Sequence, residues 1–216
     1  MNWDYEYDVV VVGSGNGALT SALCAHDGGA KTLVIEKSDQ FGGTSATSGG
    51  GVWIPNNRYA KAENVDDSDQ DARDYINSVS PKGKINEDLI ETYIIEGPRM
   101  IDYLHENSIV KYRNLPYYPD YFPDNPGGKG GNRSMEPEPI SGTKLGNDLA
   151  KLREQHPQTA FTMGPINMNF TQVEGQLLLG ALPGWKSLFA KLITKYIFDI
   201  PMRFKWGWKD RRLTMG

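Results

Sequence analysis

Two glycine-rich loops near the N-terminus carry residue types suited to holding phosphates and a flat cofactor. The first reads Asp8-Val-Val-Val-Val-Gly13-Ser14-Gly15-Asn16-Gly17-Ala18, followed by a helical stretch, the apolar run Thr32-Leu-Val-Ile35, then Glu36 and Lys37. Gly13 permits a tight turn out of a strand, Gly15 lets the main chain approach a pyrophosphate, and Ala18 takes the small third position where helix and strand pack closely. A helix starting near Gly17 then offers its positive end to the phosphates. Glu36, 23 residues after Gly13, can accept hydrogen bonds from an adenosine ribose.

The second loop separates FAD from NAD. Phe41-Gly42-Gly43-Thr44-Ser45-Ala46-Thr47-Ser48-Gly49-Gly50-Gly51 places five glycines among four small hydroxyls, and Val52-Trp53-Ile54-Pro55 resumes apolar structure at once. Bare amides and small hydroxyls can lie along a ribityl chain and donate to a flavin ring, a surface for which a nicotinamide enzyme has no obvious use. The cofactor-binding set is therefore Gly13, Gly15, Asn16, Gly17, Ala18, Glu36, Lys37, Gly42, Gly43, Thr44, Ser45, Ser48, Gly49, Gly50 and Gly51, with FAD as the cofactor.

The elements that must position these loops follow from pattern. Val9 to Val12 is a β-branched run expected in a strand buried on both faces. Ser68 with Asp71 three positions on resembles a capping box for a helix from about Asp69 to Ser78. Asn86 can cap a second helix, with Leu89, Ile90, Tyr93 and Ile94 on one face. Gly97-Pro98 should break it before Met100, Ile101 and Leu104 resume the pattern. Residues 113–146 carry six prolines and six glycines, with Tyr117, Tyr118, Tyr121 and Phe122 among them. Long loops are functional or disordered, and clustered aromatics favour function, as one wall of a slot for a flat, rigid ligand.

Val12-Gly-Ser-Gly-Asn-Gly-Ala-Leu-Thr, Phe41-Gly-Gly-Thr-Ser-Ala-Thr-Ser-Gly-Gly-Gly-Val-Trp-Ile-Pro, Pro119-Asp-Tyr and Gly131-Asn-Arg-Ser-Met-Glu-Pro resemble the bacterial 3-ketosteroid Δ1-dehydrogenases of the fumarate reductase and succinate dehydrogenase flavoprotein superfamily. The resemblance runs along essentially the whole chain. It implies an α/β, Rossmann-like FAD-binding domain with a parallel sheet and helices, incomplete at its C-terminal side, with the start of an inserted substrate domain. The expected division is 1–112 for the FAD-binding part, 113–146 for an active-site loop, and 147–216 for a helical, basic and aromatic segment.

The same resemblance implies Tyr121 as a catalytic residue at the steroid A ring, removing a proton from carbon 2 while hydride leaves carbon 1 for the flavin. A free phenol titrates near 10, so such a base needs neighbours that favour the phenolate. The family's second and third tyrosines and its glycine amide have no matching position before Gly216. The 216-residue chain is therefore expected to be a fragment that is not active alone. Other readings are a fumarate reductase-like or Δ4-acting flavoprotein, and a non-catalytic FAD-binding remnant. A dicarboxylate enzyme needs cations to hold two carboxylates, and the loop around Tyr121 offers only Arg113 and Arg133.

Composition excludes several partners. The net charge of −4 gives no footprint for nucleic acid. His26 and His105 have no second ligand type at metal spacing, and the sequons at Asn132 and Asn169 matter only in a secretory context. One cysteine, Cys24, excludes an internal disulfide and is expected to be a buried thiol in the first helix. Without an 18-residue apolar run or a signal-peptide pattern, a cytoplasmic location is expected. The tail that opens at Trp185 and runs to Arg212 holds eight Lys or Arg against two Asp. Trp185, Leu188, Phe189, Leu192, Ile193 and Tyr196 follow helical spacing with Lys191 and Lys195 opposite, and Phe204, Trp206 and Trp208 come after Pro201. That pattern suits a peripheral membrane contact, or packing on another domain with snorkelling lysines. The partners expected are a 3-ketosteroid and an unknown electron acceptor.

Overall fold

The computed structural model describes residues 4–156, 160–163, 166–206 and 212–214. In chain order the elements are β1 (Val9–Val12), α1 (Asn16–Asp27), β2 (Thr32–Ile35), β3 (Val52–Trp53), α2 (Arg58–Ala62), α3 (Asp69–Val79), α4 (Glu87–Asn107), β4 (Tyr112–Asn114) and β5 (Ser134–Pro137). They continue with β6 (Ile140–Ser141), β7 (Ala160–Met163), β8 (Ile166–Asn169), α5 (Gln172–Leu179), α6 (Trp185–Trp206) and β9 (Arg212–Leu213). The chain forms two compact units, one of residues 1–50 with 139–216, the other of residues 51–138.

In the first unit, β1 and β2 pair in parallel, Val9 opposite Thr32 through Val12 opposite Ile35, and α1 packs on both. This is the strand-loop-helix-strand order the first glycine loop requires. β1 is not buried on both faces as its valine run suggested: Val10 is 52% and Val12 77% exposed. One helix on a two-stranded sheet covers a single face, so alternate valines stay uncovered. Cys24 is likewise exposed rather than buried, because Ala22 is the buried residue of α1 and a position two residues on points elsewhere. The unit also holds the antiparallel pairs β6–β9 and β7–β8. α5 begins with a reciprocal cap between Thr171 and Glu174.

α6 runs through Pro201 without interruption. It buries Leu192 and Arg203. Lys191, Lys195, Phe198 and Met202, at intervals of four, three and four, share its outer side. Basic and aromatic residues therefore mix on that stripe instead of taking opposite faces. Trp208 lies outside the described residues.

The second unit is built on an antiparallel sheet in the order β3-β5-β4, with α2, α3 and α4 beside it. Ser68 caps α3 by accepting the Asp71 amide at 3.0 Å, and its hydroxyl donates to the Asp71 carboxylate. Asn86 accepts the Asp88 amide and caps α4. α4 does not break at Gly97-Pro98. Its buried residues Ile90, Ile94, Gly97, Ile101 and Leu104 form one stripe on both sides of the proline. A proline inside a helix costs about 3 kcal/mol, whereas each fully buried aliphatic side chain contributes roughly 1.5–3 kcal/mol. Four such residues on one continuous helix outweigh the lost hydrogen bond. Gly97 sits where a side chain would meet Ile54, 3.3 Å from an added Cβ, so glycine there permits close packing rather than a break.

The segment 113–146 is more regular than its composition suggested: a tightly turned stretch, residues 115–133, connects β4 to β5, and β6 follows. Added Cβ atoms at Gly127 and Gly131 would fall 2.0 Å from the Asp71 carbonyl and 2.1 Å from the Pro116 carbonyl. Since backbone must move to admit a methyl group, Gly131→Ala should destabilise the fold by about 1–3 kcal/mol. A urea titration read by tryptophan fluorescence, showing an unchanged midpoint, would count against this packing.

Candidate functional site

The first unit brings the two glycine loops together. Gly13 turns out of β1 at φ +98° and donates to the Ile35 carbonyl at 2.7 Å. Gly15 is the N-cap of α1, with no side chain capping it and no acidic residue in the first turn. The helix end thus keeps its positive pole for an anion. The Asn16 amide donates to Ser45 Oγ at 3.0 Å, which fastens the second loop onto the helix start. Added Cβ atoms at Gly13 and Gly17 meet nothing within 4 Å, so the backbone there is open to a ligand. Ala18 follows inside the first turn of the helix and is half-buried.

Ser14 is the link that sequence reasoning missed. It is 3% exposed. Its hydroxyl donates to Glu36 Oε2 at 2.5 Å and accepts the Gly42 amide at 3.0 Å. One side chain therefore joins Glu36 at the end of β2 to the turn that opens the second loop. The Ser14 hydroxyl, and then the Ser38 amide on Oε1, hold the Glu36 carboxyl below its ordinary range. Glu36 stays ionised, and a carboxylate with about four lone-pair sites still has capacity for ribose hydroxyls. Lys37 beside it is exposed.

In the second loop Gly42 adopts φ +108°, and an added Cβ would fall 2.8 Å from the Ala46 side chain. Gly43 backs onto Gly15, where a Cβ would lie 3.3 Å from its Cα and amide. Thr44 begins a short 3-10 turn over Ser45–Thr47, and Ser48 closes it by donating to the Ser45 carbonyl while accepting the Gly50 amide. Gly49 is half-buried, Gly50 buried, and Gly51 exposed at the start of the second unit. The residues present fit a dinucleotide: an uncapped helix pole, open glycine backbone and an ionised acid at the second strand. Ser14→Ala should weaken FAD binding about tenfold, since it frees two groups that must then find water. Equilibrium dialysis with FAD measures this, and unchanged affinity would deny Ser14 the role.

Tyr121 lies in the second unit at 87% exposure, beside Tyr117 and Phe122, also exposed; Tyr118 is half-buried. The neighbour Asp120 is 5% exposed. Its Oδ1 accepts the Trp53 indole N–H at 2.6 Å, and its Oδ2 accepts Arg133 at 2.9 Å and the Lys129 amide at 2.9 Å. Arg133 turns its other nitrogens to Asp67, at 2.7 Å for the shortest, and its guanidinium lies 5.5 Å from the Trp53 ring and 5.7 Å from the Tyr75 ring. Asn57, fully buried, caps α2 and donates to the Ile54 and Asn132 carbonyls, tying the start of α2 to the end of the loop. The signal for the acid and the arginine was present in the Pro-Asp-Tyr and Gly-Asn-Arg triplets, but nothing in the spacing paired them.

Arg113 and Arg133 are both committed. Arg113 stands opposite Glu136 in the β4–β5 register and pairs with that fully buried carboxylate. The Tyr59 hydroxyl and His105 Nδ1 share a hydrogen bond at 2.8 Å, and the Tyr112 amide donates to that same hydroxyl. Desolvation, then Arg58 and Lys111, push the imidazole below its usual range. Among the described residues, no group of three His, Cys, Asp or Glu could hold a metal, and no helix is long and apolar enough to cross a membrane.

The model of the FAD binding domain family matches residues 8–189. A 3-oxosteroid 1-dehydrogenase of Mycolicibacterium smegmatis is 39% identical over 168 residues, which is 78% of this chain and 29% of that protein. A 4-oxocyclohexanecarboxylate 2-dehydrogenase of Sinomonas cyclohexanicum is 39% identical over 157 residues, 73% of this chain and 27% of that one. The crystal structure of a 3-ketosteroid delta1-dehydrogenase from Sterolibacterium denitrificans, in complex with 1,4-androstadiene-3,17-dione, superposes with a TM-score of 0.89 at 39% identity. That match covers 97% of this chain and 36% of the other. The chain thus spans about a third of the length of the relatives it matches.

Proposed function

Because the chain belongs to the FAD-binding domain family and FAD is its cofactor, we propose that it is the FAD-binding part of a dehydrogenase that introduces a 1,2 double bond into 3-ketosteroids. The observation that carries this is the Pro119-Asp120-Tyr121 turn, which presents Tyr121 and Tyr117 as exposed rings on a main chain pinned from beneath. Those rings supply a flat apolar wall and a phenol to take the proton from carbon 2. FAD, when bound, would supply the acceptor for the hydride of carbon 1. Gly13, Gly15 and Gly17 with the α1 pole would hold the pyrophosphate, Glu36 the ribose, and the residues from Gly42 to Gly51 the ribityl side.

A carboxylate-bearing substrate is the second reading, suggested by the cyclohexanecarboxylate relative. It would require a cation beside Tyr121, and both arginines of that region are paired with buried carboxylates, which favours the neutral steroid. The test is to follow reduction of an artificial electron acceptor by the complete FAD-loaded protein with androst-4-ene-3,17-dione. Steroid-dependent reduction is expected. Faster turnover of 4-oxocyclohexanecarboxylate or fumarate would replace the steroid reading.

We infer a cytoplasmic setting, in which the exposed thiol of Cys24 would stay reduced. The α6 stripe of Lys191, Lys195, Phe198 (80% exposed) and Met202 supports a peripheral contact with anionic lipid. Phe198→Asp should lower binding to phosphatidylserine vesicles about tenfold in a sedimentation assay, ~1.4 kcal/mol. No vesicle binding by the unaltered protein would remove this contact.

A further inference from the structure

We propose that Asp120 is the positioning residue for Tyr121, aiming the phenol through a buried lattice of Trp53, Asp67 and Arg133. This rests on the reading of Tyr121 as the base. At 87% exposure, Tyr121 gains little hold from packing on its own unit, so the main chain on either side decides where the phenol stands. Both flanking amides are fastened: the Asp120 amide donates to the Lys129 carbonyl at 3.0 Å, and the Phe122 amide donates to the Tyr75 hydroxyl at 3.3 Å.

The Asp120 carboxylate then fixes the loop in three directions. Trp53 reaches it from β3, Arg133 from the returning strand of the loop, and the Lys129 amide from across the turn. Arg133 is itself 1% exposed, bonded to Asp67 and close to two aromatic rings. Asp67 precedes the Ser68 cap of α3, so the lattice ends on a helix start rather than on another loop. Lys129 also pairs with Asp71 in the first turn of that helix at 3.1 Å. A buried carboxylate adjacent in sequence to an exposed phenol is thus connected to the rigid part of the unit by charge-assisted bonds, the strongest class available. A base must stand within hydrogen-bond reach of its proton, and a displacement of about 1 Å can cost 100-fold in rate.

The experiment is a double-mutant cycle in the complete FAD-loaded protein, with kcat and KM for androst-4-ene-3,17-dione and bound flavin measured for each variant. Asp120→Asn keeps the shape but removes the charge that holds Arg133 and the Lys129 amide. The expected result is a fall in kcat of about tenfold or more with KM and flavin content within about twofold, and less than a further twofold loss when it is added to Tyr121→Phe. A structural role alone would instead multiply the two losses or shed flavin, and either result, or an unchanged kcat, overturns the proposal. Should Asp120→Asn not fold, Trp53→Phe removes one donor and keeps an aromatic side chain. Its expected fall of about threefold must likewise vanish in the Tyr121→Phe background. Wild-type turnover by Tyr121→Phe alone would defeat the reading of Tyr121 itself, and the positioning role with it.

Discussion

Gly15→Val should purify colourless. Gly15 caps α1 at the point where the two glycine loops touch: an added Cβ would sit 3.3 Å from Ser45 Oγ, and a Cβ added at Gly43 would lie 3.3 Å from the Gly15 Cα and amide. Valine adds two further carbons at that junction and a branched side chain on the pyrophosphate path. It would push away Ser45, whose hydroxyl holds the Asn16 amide. We expect FAD affinity to fall at least 100-fold, about 2.7 kcal/mol. Gly130→Ala, in the second unit, is the control, since a Cβ there meets nothing within 4 Å of the protein. Flavin absorbance after gel filtration distinguishes the two. A yellow Gly15→Val protein would show that the loop junction does not hold the cofactor, and a colourless wild type that retains NADH would remove FAD altogether.

Tyr121→Phe should leave flavin bound and reduce steroid turnover by roughly 100-fold or more, the usual scale for losing a general base. The hydroxyl lost is on an exposed ring, so stability should not change and the loss should appear in kcat. Tyr117, at 91% exposure, offers the internal comparison. If Tyr117→Phe is the variant that loses turnover while Tyr121→Phe does not, the base is the other ring. If neither does, the loop is only a wall.

Much of the nucleotide half was legible in the residues because its determinants are local. A strand, a turn needing φ near +98° at Gly13 and an uncapped helix start are contained within about a dozen residues. Ser68 and Asn86 as helix caps are likewise interactions over two or three positions. Pattern failed where neighbours were needed. Pro98 is a helix breaker by propensity, yet the stripe from Ile90 to Leu104 keeps α4 whole, and Leu89, placed on the apolar face by spacing, is 66% exposed.

The chain's own order of residues therefore determined the two glycine loops, the acid after the second strand, the cofactor class and the aromatic turn that holds Tyr121. Only the tertiary structure decided what that turn rests on. Trp53 meets Asp120 across 67 positions and Arg133 meets Asp67 across 66. Backbone turns and caps have a spacing because they are made by neighbours along the chain. Charge pairs have none, because any buried carboxylate can satisfy any buried guanidinium that folding brings within about 3 Å.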